Sequence, residues 1–275
     1  MNLNHRFPHF LSNSSHILNC DIFTLTKDSY LQVHRGSFGR TQICQQYNLE
    51  PRDLQKLDTN ILINVPLIDI RQNRFICFSF QRLQSLVQFN RSIFFVPSAY
   101  KAIGESFGIR DAAHWERISE AYRQNVKYIY QLYHERFIIQ ASNNIDTIPY
   151  EFRITEINLE TVAHQLKLET HELLNGFQNV RERAYARIIL GRLRELAHKP
   201  IIAVLAHDED MIGMYLTDNR KRDIFDHTQA ELLLEASTKQ TAEVRRSISD
   251  SVHTLESATG FMLDAVRNEL LAFEI

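Results

Sequence analysis

The first hundred residues alternate apolar and polar positions in short runs, a pattern typical of β-strands. The runs that predict strands are Ile17–Leu25, Ser29–His34, Ile61–Ile70, Arg74–Ser79 and Ser92–Val96. Polar turns at Thr26–Asp28 and Arg71–Asn73 join neighbouring runs and predict hairpins. Two short helices are expected, over Gly36–Tyr47 and Gln81–Phe89. This half of the chain therefore predicts a small, mostly antiparallel sheet with helices packed on it.

Beyond Ala99 the apolar residues take the spacing of helices. Trp115–Ile139 has one apolar side, made by Ile118, Tyr122, Val126, Ile129, Leu132 and Tyr133. A polar loop follows, and a long helix is expected from Pro149 to about Leu174, because proline suits a first helical turn. Further helices are predicted over Arg181–Ala197 and from Pro200 to Leu216.

The end of the chain predicts one long helix. Asp226 and Gln229 resemble a capping box, and from there to Ile275 the chain has no proline and a single glycine, Gly260. About 47 residues of helix would span about 70 Å at about 1.5 Å per residue. Apolar positions recur three or four residues apart at Ile248, Val252, Leu255, Thr259, Met262, Val266, Leu270 and Phe273. We call this line the seam; its heptad-like spacing favours packing against other long helices, as in a coiled coil.

These elements predict an α+β fold with three parts. A flexible tail covers residues 1–16, an α/β head covers 17–148, and a helical region covers 149–275, ending in the stalk helix 227–275. With 44% hydrophobic residues the chain can bury a sizeable core. No stretch approaches the roughly 20 apolar residues of a membrane helix, so the chain as given is expected to be soluble and intracellular.

Charge and cysteine usage narrow the function. A net charge of −2 argues against a duplex nucleic-acid partner, which normally meets a basic surface. Cys20, Cys44 and Cys77 form no CxxC pair, and small buried thiols in a reducing compartment are the favoured interpretation. The hydrolase, nucleotide-binding and zinc-protease signatures are missing, so no enzymatic activity is expected.

Three charged stretches remain as candidates. Arg52 and Asp53 after Pro51 form either an exposed functional pair or a turn ion pair, and the ion pair is the favoured interpretation. Asp208-Glu209-Asp210 either binds a hard divalent cation through oxygen or is a solvated helix end. Asp264 and Arg267, three apart, form a surface pair on a lone helix, whereas in a symmetric bundle they repeat as rings of charge at a pore mouth.

Several stretches, in this order, resemble one family, the mitochondrial relatives of the CorA magnesium channels of the RNA-splicing-two type. They are Asn48–Asp58 with its Pro51-Arg52-Asp53-Leu54 core, Ile61–Ile70 with Arg74–Ser79, Pro149–Arg153, Asp208–Asp210 with Met214–Thr217, and Leu263–Asn268. The resemblance covers about residues 19–275 and fits least well over Ala99–Ser142.

The resemblance implies a homo-pentamer in the mitochondrial inner membrane, with a matrix-side head and a stalk helix that continues into a Mg²⁺ pore. By position, Asp264 would form an acidic ring and Arg267 a basic ring, and Leu271 would lie at a hydrophobic narrowing. Weak regulatory Mg²⁺ would be held by Asp208, Glu209, Asp210 and Asp264.

Two departures from the family pattern leave alternatives open. The membrane helices and their Gly-Met-Asn signature are absent from the sequence given, so any contact with the membrane is expected through segments not included here. Arg245, Arg246 and Ser247 stand where relatives have stalk carboxylates. The first hypothesis is the gating and assembly domain of a Mg²⁺ channel, and the alternative is a natural pore-less relative that serves as an interaction or assembly protein. An RNA-splicing role has no motif to support it.

Overall fold

A computed structural model describes residues 17–57, 67–71, 74–80, 82–98, 112–138, 148–176, 208–216 and 228–273. The strands are β1 (Ile17–Thr26), β2 (Leu31–Gly39), β3 (Leu67–Arg71), β4 (Phe75–Phe80), β5 (Leu83–Gln88) and β6 (Arg91–Pro97). The helices are α1 (Arg40–Tyr47), α2 (Pro51–Lys56), α3 (Ala112–Tyr133), α4 (Tyr150–Gly176), α5 (Asp208–Met214) and α6 (Thr228–Phe273). The α+β class and the antiparallel sheet are confirmed.

The described strands form one sheet in the order β2-β1-β6-β5-β4-β3, and every neighbouring pair is antiparallel. Because β6 also pairs with β1, the sheet joins the β1–β2 hairpin to the four-stranded antiparallel meander β3–β6. The turn that follows β1 lies beside the turn before β6, where the Lys27 amide donates to the Asn90 carbonyl at 2.8 Å.

The helix expected over Gln81–Phe89 is wrong, because this segment contains β5. Leu83, Leu86 and Val87 have helical spacing, which misled the prediction. In the sheet, β5 pairs with β4 on one side and β6 on the other, and its glutamines are buried. The Gln84 side chain donates to the Phe80 carbonyl at 3.2 Å, and that of Gln88 to the Tyr47 carbonyl at 2.6 Å. Backbone partners on both sides and these two hydrogen bonds from the side-chain N–H groups therefore outweigh the local pattern.

The predicted helix over Gly36–Tyr47 is wrong in its first turn. Residues 36–39 extend β2 in register with β1, from Cys20 opposite Gly36 to Ile17 opposite Gly39, so the helix begins only at Arg40. The strand expected over Ser29–His34 correspondingly runs over Leu31–Gly39. Pairing with β1 continues to Gly39, the last residue of β2.

The sheet has an apolar core on each face. On one side, α1 and α2 cover a cluster that includes Leu18, Ile43, Leu54 and Phe95. On the other, α3, α4, α5 and the start of α6 cover a larger cluster that includes Phe78, Phe94, Ile129 and Phe152. The six-residue apolar side predicted for α3 is confirmed, since Tyr122, Val126, Ile129 and Tyr133 are buried and Ile118 and Leu132 are partly buried.

The three cysteines are free thiols, as the sequence favoured. Cys20 and Cys77 are buried, and Cys44 is half-buried. Burial raises the pKa of the Cys77 thiol to about 12. Its packing in the α1–α2 cluster is that of a small apolar residue.

Several predictions fall outside the described residues: the 1–16 tail, Ile61–Pro66 of the third strand, the loop Ser142–Thr147, the helix Arg181–Ala197, residues 200–207 and the Asp226 cap. The division into a head and a helical region at residue 148 stays a prediction. The helix expected from Pro149 is confirmed, beginning at Tyr150.

Candidate functional site

The predicted C-terminal rod is one continuous helix in the structure. α6 runs for 46 residues, which corresponds to about 69 Å. Gly260 lies in its interior, and a Cβ added there meets nothing within 4 Å. No packing partner within the described part of the chain therefore requires that glycine.

The first half of α6 packs on α4 and on the larger core cluster. Ala230, Leu234 and Ile248 are 4%, 2% and 1% exposed and belong to the larger core cluster. α6 lies along α4, and between them and α3 is a cavity of about 620 Å³, lined by residues that include Val244, Ile248 and His164. The His164 ring stacks on Tyr128 at 4.9 Å. One side of α6 is thus covered by α4 and this cluster.

The second half of α6 presents large apolar side chains to solvent. Phe261, Leu263 and Val266 are 76%, 59% and 54% exposed. Val266 lies 18 residues, or five turns, after the buried Ile248, and therefore on the same line of the helix. The line that contains the buried Ile248 thus continues to Val266, whose side chain is more than half exposed. The other lower seam members, at positions 252, 255, 259, 262, 270 and 273, have side chains outside the described set.

Asp264 and Arg267 are both exposed near the end of this helix. Although they are three residues apart, their side chains form no ion pair in the part of the chain that the structure describes. Leu271 follows Asp264 by seven residues and so lies on the same side of the helix, but its side chain is not among those described. Their assignment to charge rings and a narrowing stays a prediction.

The acidic stretch lies at the start of the short helix α5. The helix begins at Asp208, and the side chains of Asp208, Glu209 and Asp210 lie outside the described residues. Met211 and Met214 are buried in the core cluster that also contains Leu234 of α6. The assignment of Asp208, Glu209 and Asp210 as metal ligands stays a prediction.

Among the residues whose side chains are described, no three His, Cys, Asp or Glu groups are arranged to hold a metal ion. Asp264 therefore belongs to no such group of three among these residues.

The first turn of α4 anchors the end of α5, a role that the sequence did not reveal. The Glu151 carboxylate is fully buried and accepts the Leu216 amide at 2.7 Å. The Phe152 ring packs on Tyr215 at 4.7 Å between centroids. The Tyr150 hydroxyl donates a hydrogen bond to Ser92 Oγ at 2.8 Å, and burial raises the pKa of Tyr150. The only sequence signal for this role was the family resemblance of Pro149–Arg153, which gave no physical reason for an acid and aromatic residues at the start of a helix.

The expected ion pair of Arg52 with Asp53 is wrong. Asp53 is 1% exposed and caps α2, with its carboxylate accepting the Glu50 amide at 3.1 Å. Its other oxygen meets Arg71 at 3.2 Å, whereas Arg52 pairs with Glu50 at 2.7 Å. The Pro51-Arg52-Asp53 segment therefore ties α2 to the β3 strand.

The helices that the structure describes include none with a stretch long and apolar enough to span a bilayer. This finding concerns only the described residues.

Comparison with known proteins gives a consistent result. Residues 19–267 match the family model described as magnesium transporter MRS2-like. The chain is 28% identical to the mitochondrial inner membrane magnesium transporter mrs2 of Schizosaccharomyces pombe, over 93% of this chain and 60% of that protein. It is 25% identical to the transporter LPE10 of Yarrowia lipolytica, over 95% of this chain and 57% of the relative.

A third relative is the mitochondrial inner membrane magnesium transporter MFM1 of Saccharomyces cerevisiae, 28% identical over 86% of this chain and 59% of that protein. The chain thus spans about 60% of the length of these relatives.

Proposed function

The chain belongs to the MRS2-like magnesium transporter family, and from that premise we propose that it is the matrix-side gating and assembly region of a mitochondrial inner membrane magnesium channel. Mg²⁺ is then the transported ion and also a weak regulatory ligand. The relatives named above are mitochondrial inner membrane magnesium transporters, which supports this compartment and this ion.

The observation that carries the proposal is the uncovered lower half of α6. Phe261, Leu263 and Val266 have more than half of their surface exposed. Burying apolar surface is worth about 25 cal/mol per Å², so this half of the helix gains stability from packing against other copies. We expect a homo-oligomer, a pentamer in the complete channel, in which the lower halves of α6 contact one another.

Assembly places like charges close together. In a ring, each Asp264 carboxylate meets the Asp264 of its neighbours, and two such charges about 10 Å apart repel by about 0.4 kcal/mol in water. Five neighbouring pairs sum to about 2 kcal/mol, and a divalent cation bound between them removes this repulsion. Mg²⁺ therefore stabilises the closed assembly, and a fall in Mg²⁺ loosens it. The acids Asp208, Glu209 and Asp210 serve the same purpose at the head.

The test is a Mg²⁺ titration of the chain, followed by calorimetry, thermal unfolding and sedimentation velocity. We expect stabilisation at millimolar Mg²⁺ together with a larger oligomer. Asp264→Ala and Asp208→Ala are expected to weaken the response.

The matched control is Asp28→Ala, since Asp28 is an exposed acid in the β1–β2 turn, remote from α6 in sequence. If the wild-type chain shows no stabilisation at millimolar Mg²⁺, or if both candidate variants respond like the wild type, the sensing role is rejected.

A further inference from the structure

The strand β2 forms one edge of the sheet, and its outer side is open. Among the described strands it pairs with β1 alone, in a register that continues without a bulge along the whole strand. Residues 32–37 are all exposed, and Val33 is 42% exposed. β2 is nine residues long and contains no proline and no lysine. Short length, proline, lysine and bulges commonly protect a sheet edge from pairing, and β2 has none of them.

The hydrogen bonds to β1 determine which backbone groups of β2 point away from the sheet. The Thr26 amide donates to the Tyr30 carbonyl at 3.0 Å, so these two residues form a hydrogen-bonded pair. Antiparallel strands alternate such pairs with pairs whose N–H and C=O groups point outward. Counting along the register, Val33, Arg35 and Ser37 direct their backbone N–H and C=O groups to the open edge.

A second contact agrees with this assignment. Asn19 lies opposite Ser37, and its carbonyl accepts the amide of Ser98, the residue after β6, at 3.1 Å. The backbone of Asn19 therefore points away from β2. Since the two residues of such a pair point in opposite directions, the backbone of Ser37 points away from β1.

The charges at this edge are basic. β2 contains His34 and Arg35 but no acid, and Arg40 follows at the start of α1. Asp21, the one acid opposite β2 in the register of β1, is buried, and its carboxylate meets Arg123 at 3.4 Å. Pairing of two β2 strands from two copies would place basic residues opposite one another, which is unfavourable, whereas a strand that carries carboxylates is favoured.

We propose that the open edge of β2 binds an extended acidic segment of a partner protein, which adds to the sheet as a further strand. The outward N–H and C=O groups of Val33, Arg35 and Ser37 supply the hydrogen bonds, as in other cases where a peptide extends a sheet. The exposed Val33 and Arg35 side chains lie on one face, so they select an apolar residue and an acid two positions apart in the bound strand. This inference concerns the sheet and does not depend on assembly through α6.

The experiment measures the binding of two short synthetic peptides to the full chain by fluorescence anisotropy. One peptide alternates valine with glutamate, and the other alternates valine with lysine. We expect the glutamate peptide to bind about fivefold more tightly, which corresponds to about 1 kcal/mol for cross-strand charges. Amide exchange followed by NMR locates the peptide. The amides of Val33, Arg35 and Ser37 should gain protection when it binds, whereas the His34 amide, bonded to β1, should be protected throughout.

Proline substitutions separate the edge from the fold. Val33→Pro removes an outward N–H but no bond to β1, and edge strands tolerate a proline at such a position. We expect it to lose most of the peptide binding, whereas the matched control Val33→Ala keeps the N–H and binds more strongly than Val33→Pro. Ser37→Pro repeats the test at a second outward position, and circular dichroism checks that each variant is folded. Arg35→Gln should still bind but lose the preference for glutamate.

Three outcomes would overturn the proposal. The first is no binding of the glutamate peptide at millimolar concentration, or equal binding of both peptides to the wild-type chain. The second is wild-type affinity in both folded proline variants. The third is a smaller oligomer of Val33→Pro than of the wild type in sedimentation velocity, because the edge would then be occupied by a second copy of the chain.

Discussion

Replacing Glu151 with alanine tests how α5, which begins with the acidic stretch, is held against α4. Glu151 is the second residue of α4, and its carboxylate is 0% exposed. One oxygen accepts the Leu216 amide at 2.7 Å, two residues beyond the end of α5. Alanine removes this acceptor but keeps helix propensity, so the change reports on the contact and not on the formation of α4.

The expected loss follows from the chemistry of that contact. A hydrogen bond to a charged group contributes about 1.5–3 kcal/mol, and an amide left without an acceptor in a buried place costs about 1–3 kcal/mol. Allowing for partial access of water to Leu216, which is half-buried, we expect Glu151→Ala to lower the free energy of unfolding by about 2–4 kcal/mol. For a domain of this size each kcal/mol lowers Tm by about 2–4 °C.

Thermal and urea unfolding measure the global loss, and hydrogen exchange of the peptide that contains Leu216 measures the local one. Glu151→Gln is the matched control, because its amide oxygen still accepts the Leu216 N–H. We expect its loss of unfolding free energy to be at most half of the loss in Glu151→Ala. Equal unfolding free energies and equal exchange at Leu216 in wild type and Glu151→Ala would refute the anchoring role.

Three further predictions follow from the same structure. Asp53→Asn removes the charge that caps α2 and meets Arg71, and we expect a loss of about 1–3 kcal/mol by urea unfolding; an unchanged midpoint would contradict it. The fold raises the pKa of Cys77 from 9.0 to about 12, so between these pH values the folded chain keeps a proton that the unfolded chain loses. The free energy of unfolding is therefore unaffected by this thiol below pH 9 and declines as the pH rises to about 12. Cys77→Ala should flatten that decline in unfolding experiments at alkaline pH. Gly260→Ala should stabilise α6 by about 1 kcal/mol, because the added Cβ meets nothing within 4 Å, and helix content and Tm should both rise. Destabilisation would show that neighbouring copies approach that glycine closely.

The sequence alone determined the elements whose pattern is strong and local. α3, α4 and α6 are long, and their apolar residues recur with helical period over many turns, so each turn repeats the same evidence. The hairpin of β1 and β2 follows from two alternating runs and a polar turn. The presence of Asp264 and Arg267 on the same rod also required only the absence of a helix breaker between them.

Only the tertiary structure decided features that depend on residues far apart in the chain. β5 is a strand because β4 and β6 supply its backbone partners, and the carbonyls of Phe80 and Tyr47 accept hydrogen bonds from the side-chain amides of its glutamines. Glu151 meets Leu216 across 65 positions, and no local pattern records that contact. The same limit applies to the burial of the seam, which the sequence alone does not determine. Periodicity drew one apolar line along α6, whereas only the tertiary structure showed that Ile248 on this line is buried and Val266 is exposed, because burial is a property of neighbours in space.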